Sequence, residues 1–234
     1  MRYLIILILV SCFSCNNERV LQLPEIKNTD ITEVLDVSPA YVFYDQTQPD
    51  SSLLNRKNLI ISTNWLVNVD KRLTLKQAIP HIKFLQDKKR NAELHKNKDA
   101  KNYFTCNNTS IGSLGFVEFT DVYYQLSEPE VDTIDLLGII PKHLGVKLND
   151  SLSFTELSLK INQKNINTFQ TEIISFLELI DNTTSISSEL KITEIALNLC
   201  FEESLSFQDY IAVKSKLSKL ESDKIKINSN EFIY

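Results

Sequence analysis

The sequence predicts an α+β protein in which small mixed sheets pack against amphipathic helices. Three observations carry that expectation. Stretches such as Leu157-Ser158-Leu159-Lys160-Ile161 alternate apolar and polar residues, the period of a half-buried strand. Between them lie segments with apolar residues three and four apart, opened by residues that cap helices. Toward the end of the chain the two patterns follow one another as β-α-β-α-β.

Ala40-Tyr41-Val42-Phe43-Tyr44 reads as a strand, closed by the turn-prone Asp45-Gln46-Thr47-Gln48-Pro49-Asp50. Residues 59–63 and 65–69 read as one bent strand or a hairpin. A long basic helix is expected over 75–103. Thr74 and Gln77 have the capping-box spacing, and Leu73 and Ala78 are placed to staple its entry. Leu75, Ile79, Ile82 and Leu85 form its apolar face, and Pro80 predicts a kink because it lacks an N–H. Residues 117–119 and 122–124 suggest a further strand, and the acidic Ser127-Glu128-Pro129-Glu130 a linker.

After the alternating strand at 157–161, Gln163-Lys164-Asn165 reads as its turn. Asn167 is placed to cap a helix with Phe169, Ile173, Phe176, Leu177 and Ile180 on one face. A strand over 190–201 follows. Ser206, with Asp209 three places on, opens a helix carrying Phe207, Tyr210, Ile211, Leu217 and Leu220. Ile225-Lys226-Ile227 alternates as a final strand.

The amino end has a different character. One positive charge, Arg2, precedes the apolar residues 3–10, then Ser11-Cys12-Phe13-Ser14-Cys15. That is the pattern of an export signal, and the run falls short of the ~20 residues a membrane span needs. The cysteines resemble the lipobox of bacterial lipoproteins, in which the thiol is alkylated with diacylglycerol and the signal is cut just before it. Leu9-Val10-Ser11-Cys12 fits the pattern better, whereas length favours Cys15, because eleven helical residues reach only about 16 Å. Lipidation is expected at Cys12, or alternatively at Cys15. Residues 1–15 form the signal segment, 16–37 a polar spacer, 38–126 a first α+β region and 132–234 a second.

A net charge of −5 argues against a nucleic-acid partner. The only glycines are Gly112, Gly115, Gly138 and Gly145, so the phosphate-cradling loops that need glycine at fixed spacing are excluded. His81, His95 and His143 lack metal-ligand spacing. His81 and His95, on one helix, would stand about 21 Å apart, and all three read as surface histidines. No metal, cofactor or nucleophile elbow is expected, and the balance leans away from an enzyme. In an exported protein Cys106 and Cys200 form a disulfide worth roughly 4–5 kcal/mol, or else remain two separate buried thiols. Residues 83–101 hold seven Lys/Arg against three Asp/Glu. Lys88, Lys89 and Arg90 at their centre form a contact patch for anionic lipid or an acidic partner, or an ordinary solvated helix face.

The stretches "LSLKINQKNI" and "ITEIALNLCFEESLSFQDYIAVKSKLSKLESDKIKIN" resemble the periplasmic domain of the ExbD/TolR family. The resemblance matches a strand at 195–201, a charged turn at Glu202-Glu203, an aromatic at Phe207, an amphipathic helix at 211–220 and a closing strand at 225–227. It implies docking to another envelope component. Family members cross the inner membrane on a helix with an acidic residue, whereas residues 3–10 hold no carboxylate, so no functional residue carries over. The expectation is a lipid-anchored protein of the cell envelope, facing the periplasm or the exterior, that acts as a non-catalytic binding or scaffold module. The alternatives are an envelope hydrolase with a dispersed site and a small-molecule carrier with a pocket between the two regions.

Overall fold

The computed structural model describes residues 19–127, 156–175 and 195–234. They build an α+β body of two sheets and three helices. The first sheet comprises β1 (Glu25–Ile26), β2 (Val37–Tyr44), β3 (Ser52–Asn55), β4 (Asn64–Val69), β5 (Asn102–Asn108) and β6 (Ser113–Glu118), with α1 (Leu75–Arg90) between β4 and β5. Its centre is parallel, in the order β1-β5-β4-β2, while β3 and β6 pair antiparallel with β2 and β5. The second sheet is parallel, β7-β10-β9-β8, built from β7 (Tyr123–Gln125), β8 (Glu156–Ile161), β9 (Ile195–Phe201) and β10 (Ile225–Ile233). A short helix α2 (Ile166–Thr168) runs on into a π-helical turn at Phe169–Ile173, and α3 (Phe207–Leu217) links β9 to β10. The strand–helix–strand–helix–strand order expected of the second region is present.

Register explains the core. Ala40 pairs with Val67 and Val42 with Val69, so the alternating apolar residues of β2 and β4 share one face. Leu75, Ile79, Ile82 and Leu85 are buried as their spacing requires. Phe104 stacks on Phe119 at 3.8 Å and meets Phe207 and Tyr210 edge-on, so one core joins the two sheets. β7, inside the expected first region, pairs with β10 of the second sheet.

The junction between the sheets is an internal pseudo-symmetry. "VNVDKRLTLKQAI" (67–79) and "LCFEESLSFQDYI" (199–211) each end a strand, turn, cap a helix and begin it. The first N–H groups of a helix lack acceptors within it. Here each helix start borrows the carbonyls of the other's turn. Leu75 N–H donates to the Leu205 carbonyl and Phe207 N–H to the Leu73 carbonyl, while Lys76 and Gln208 donate to the carbonyls of Glu203 and Lys71. The Thr74–Gln77 capping box is complete, and Ser206 Oγ accepts from the Asp209 N–H.

Four expectations change. Residues 59–63 are turns, because Leu59 N–H bonds to Arg56 O and Thr63 N–H to Ile60 O, and Trp65 Nε1 donates to the same Ile60 carbonyl at 2.7 Å. The long helix stops at Arg90, capped by Asn91. His95 lies beyond it with φ 57°, and Tyr103 belongs to β5, where aromatic and β-branched residues pair between β4 and β6. The turn before α2 puts Asn165, not Asn167, at the cap. Finally, the described part of the spacer is a strap bound to the body. Gln22 N–H bonds to Asp70 Oδ2, β1 pairs with β5, Ile26 is buried, and Phe116 N–H donates to the Ile31 carbonyl. Polar composition concealed this, since a strap held by backbone bonds needs few apolar side chains.

Candidate functional site

A cleft of about 590 Å³ lies between the strap at 28–31, the β6–β7 connection, the C-terminal half of α3 and the start of β10. Each wall follows from local structure. The Ser206 cap sets where α3 begins, which puts Lys214, Ser215 and Ser218 on the cleft side. Gly115 lets the strap approach, since a Cβ there would stand 2.4 Å from Thr29 Cγ2. In β10 the chain advances from Ile227 to Glu231 while β9 advances only from Leu197 to Leu199, a bulge that distorts the strand beside the cleft.

Behind the cleft wall lies a buried polar chain. Tyr210 and Lys214, one helical turn apart, share a face of α3 and both reach Glu231. Tyr210 OH donates to Glu231 Oε2 at 2.7 Å, and Lys214 Nζ donates to Oε1. The Glu231 side chain is 1% exposed and that of Lys214 11%. Tyr124 OH lies 3.0 Å from Tyr210 OH. Because the proton of Tyr210 goes to the carboxylate, Tyr124 is the donor in that contact. Burial, then the charge of Glu231, holds both phenols well above their ordinary range, so both stay neutral. The groups satisfy one another and hold β7, α3 and β10 together behind the cleft.

The acids on the cleft rim differ. Glu118 pairs with Lys101 at 3.0 Å. Asp30, Asp121 and Glu221 are exposed, and among the described residues no ion-pair partner is found for them. The rim is acidic, with Lys219 as its exposed cation.

His81 is half-buried rather than a surface histidine. Its Nε2 lies 2.8 Å from Ser52 Oγ, and that hydroxyl donates to Asp50 Oδ2 at 2.7 Å. The serine proton therefore points at the carboxylate, the reverse of a histidine-activated nucleophile, and Ser52 is only 5% exposed. Burial lowers the pKa of His81 against the opposing pull of Asp50.

The basic triplet is taken apart by the fold. Lys88 is exposed. Lys89 is 8% exposed and donates at 3.0 Å to the carbonyls of Thr63 and Lys101 and to Asn102 Oδ1, with its ammonium 4.9 Å above the Trp65 ring. Arg90 donates to the carbonyls of Thr120 and Val122 and stacks over Tyr123. Two of the three cations thus bind the protein's own carbonyls, which form no surface patch. Cys106 in β5 and Cys200 in β9 are buried and form no disulfide with one another, the second of the two expected alternatives. Cys12, Cys15 and His143 lie outside the described residues.

Sequence reading missed Tyr124, Tyr210, Lys214 and Glu231 as a unit. The available signals were the helical spacing of Tyr210 and Lys214 and a lone carboxylate in the strand-like "NEFIY". The chain matches no protein-family model, no curated protein and no solved structure.

Proposed function

We propose that this chain is a lipid-anchored protein of the cell envelope that acts as a binding module, and that the cleft between its two sheets receives a segment of an envelope partner. The observation that carries the reading is the cleft itself: walled by segments of both sheets, stiffened by the Glu231–Lys214 pair, and rimmed by Asp30, Asp121 and Glu221. Exposed acids held in no ion pair among the described residues favour a segment bearing lysine or arginine. The anchor is supported by the amino-terminal pattern ending in Cys12 and Cys15, and the envelope role by the ExbD/TolR-like order of the last strands and helices.

Crosslinking in intact cells tests the reading. The wild type should give a discrete crosslinked species, and combined Asp30→Asn, Asp121→Asn and Glu221→Gln should abolish it while mass spectrometry still finds diacylglycerol on Cys12 or Cys15. An unchanged crosslinking pattern in the triple variant would refute the cleft as docking surface. A small-molecule carrier is the second reading, favoured by a cleft volume of about 590 Å³, within the range of ligand pockets.

A further inference from the structure

The strap and the two helices give the molecule two distinct ends. At one, α1 and α3 begin and their caps meet. The first described residues lie there: Arg19 pairs with Asp45 at 3.0 Å, and Lys71 N–H donates to the Gln22 carbonyl. At the other end α3 finishes, and the residues just before and after that finish line the cleft. The point of attachment and the cleft therefore lie toward opposite ends of α3.

We propose that the helix-cap end lies against the bilayer and that the cleft opens away from it. This rests on the lipid anchor of the preceding section. Two observations support it. The first is reach: a fully extended chain spans at most about 14 Å from Cys15 to Arg19, or about 25 Å from Cys12. With residues 22–31 bound to the body, no longer tether is available, so an acylated chain holds the cap end close to the headgroups. The second is charge. At the cap end three acids are matched by cations, Asp70 by Arg72 at 2.7 Å, Glu25 by Lys71 at 2.6 Å and Glu203 by Lys76 at 2.6 Å. The cleft rim carries Asp30, Asp121 and Glu221, which an anionic leaflet repels. The tether sets the orientation, and the exposed rim acids oppose the reverse one.

The test uses the full acylated chain in phosphatidylethanolamine–phosphatidylglycerol vesicles that contain phosphatidylcholine spin-labelled on its headgroup. Tryptophan is introduced at an exposed position of either end, Gln46→Trp beside Asp45 or Lys219→Trp on the cleft rim. The native Trp65, 1% exposed, is a constant background. The expected result is strong quenching of the Gln46→Trp emission relative to label-free vesicles, and Lys219→Trp emission unchanged by the spin label. Equal quenching at both positions, stronger quenching at Lys219→Trp, or no quenching of a protein that floats with the vesicles would overturn the orientation. Flotation and intact mass read the anchor separately: an unacylated chain that stays with the soluble fraction overturns the anchor, and the orientation with it.

Discussion

Replacing Lys214 by methionine isolates the energetics behind the cleft wall. The stem of the side chain is kept and the ammonium removed, leaving the Glu231 carboxylate, 1% exposed, with the Tyr210 hydroxyl as its remaining donor among the contacts described above. A buried ion pair adds little net stability, because desolving two charges offsets most of their attraction. Breaking one from a single side is costly and typically removes about 3–5 kcal/mol. With a urea m-value of about 2–3 kcal/mol per molar, the midpoint should fall by roughly 1–2 M. Urea unfolding followed through the single buried Trp65 measures this directly. Adding Glu231→Gln to the Lys214→Met background should recover most of the loss, since the remaining group is then neutral. A single variant within about 1 kcal/mol of wild type, or a double variant no more stable than the single, would refute the claim that an uncompensated charge sets the cost.

Other consequences follow from the same geometry. Burial pulls the Lys89 ammonium down to about 8, below its unfolded value, so the fold disfavours its charged form. Stability contributed at this site therefore rises with pH between about 8 and the ordinary lysine range, and the urea midpoint of the wild type should gain on that of Lys89→Met across that window. Cys106 runs the opposite way: burial pushes its thiol up to about 12, so its contribution is lost as pH climbs above the ordinary thiol range, and Cys106→Ala should flatten that decline. Ser206→Ala removes the cap of α3 and should cost about 1 kcal/mol in thermal or urea unfolding. Gly115→Ala puts a methyl against Thr29; a stability loss of about 1–3 kcal/mol and faster proteolysis within residues 27–36 are expected.

How much of the fold was legible depended on how local its cause was. Caps were readable because a side chain three residues from its backbone partner decides them, as at Thr74–Gln77 and Ser206–Asp209. The buried faces of α1 and α3 were readable because period alone sets them. The end of α1 was not: Asn102–Asn108 is a strand because β4 and β6 lie on either side. The basic triplet misled for the same reason, since charge in sequence says nothing of the carbonyls of Thr63, Lys101 and Thr120 that capture it.

The sequence by itself determined the α+β class, the starts of α1 and α3 and the alternating strands at 40–44, 157–161 and 225–227, all of which depend on neighbours within a few positions. Tertiary structure decided the strap, the cap-to-cap junction, the Tyr124–Tyr210–Glu231–Lys214 chain and the cleft. Each of these joins residues tens to nearly two hundred positions apart, such as Glu25 with Gln208. Such pairings are set by how the sheets stack, which no local periodicity encodes.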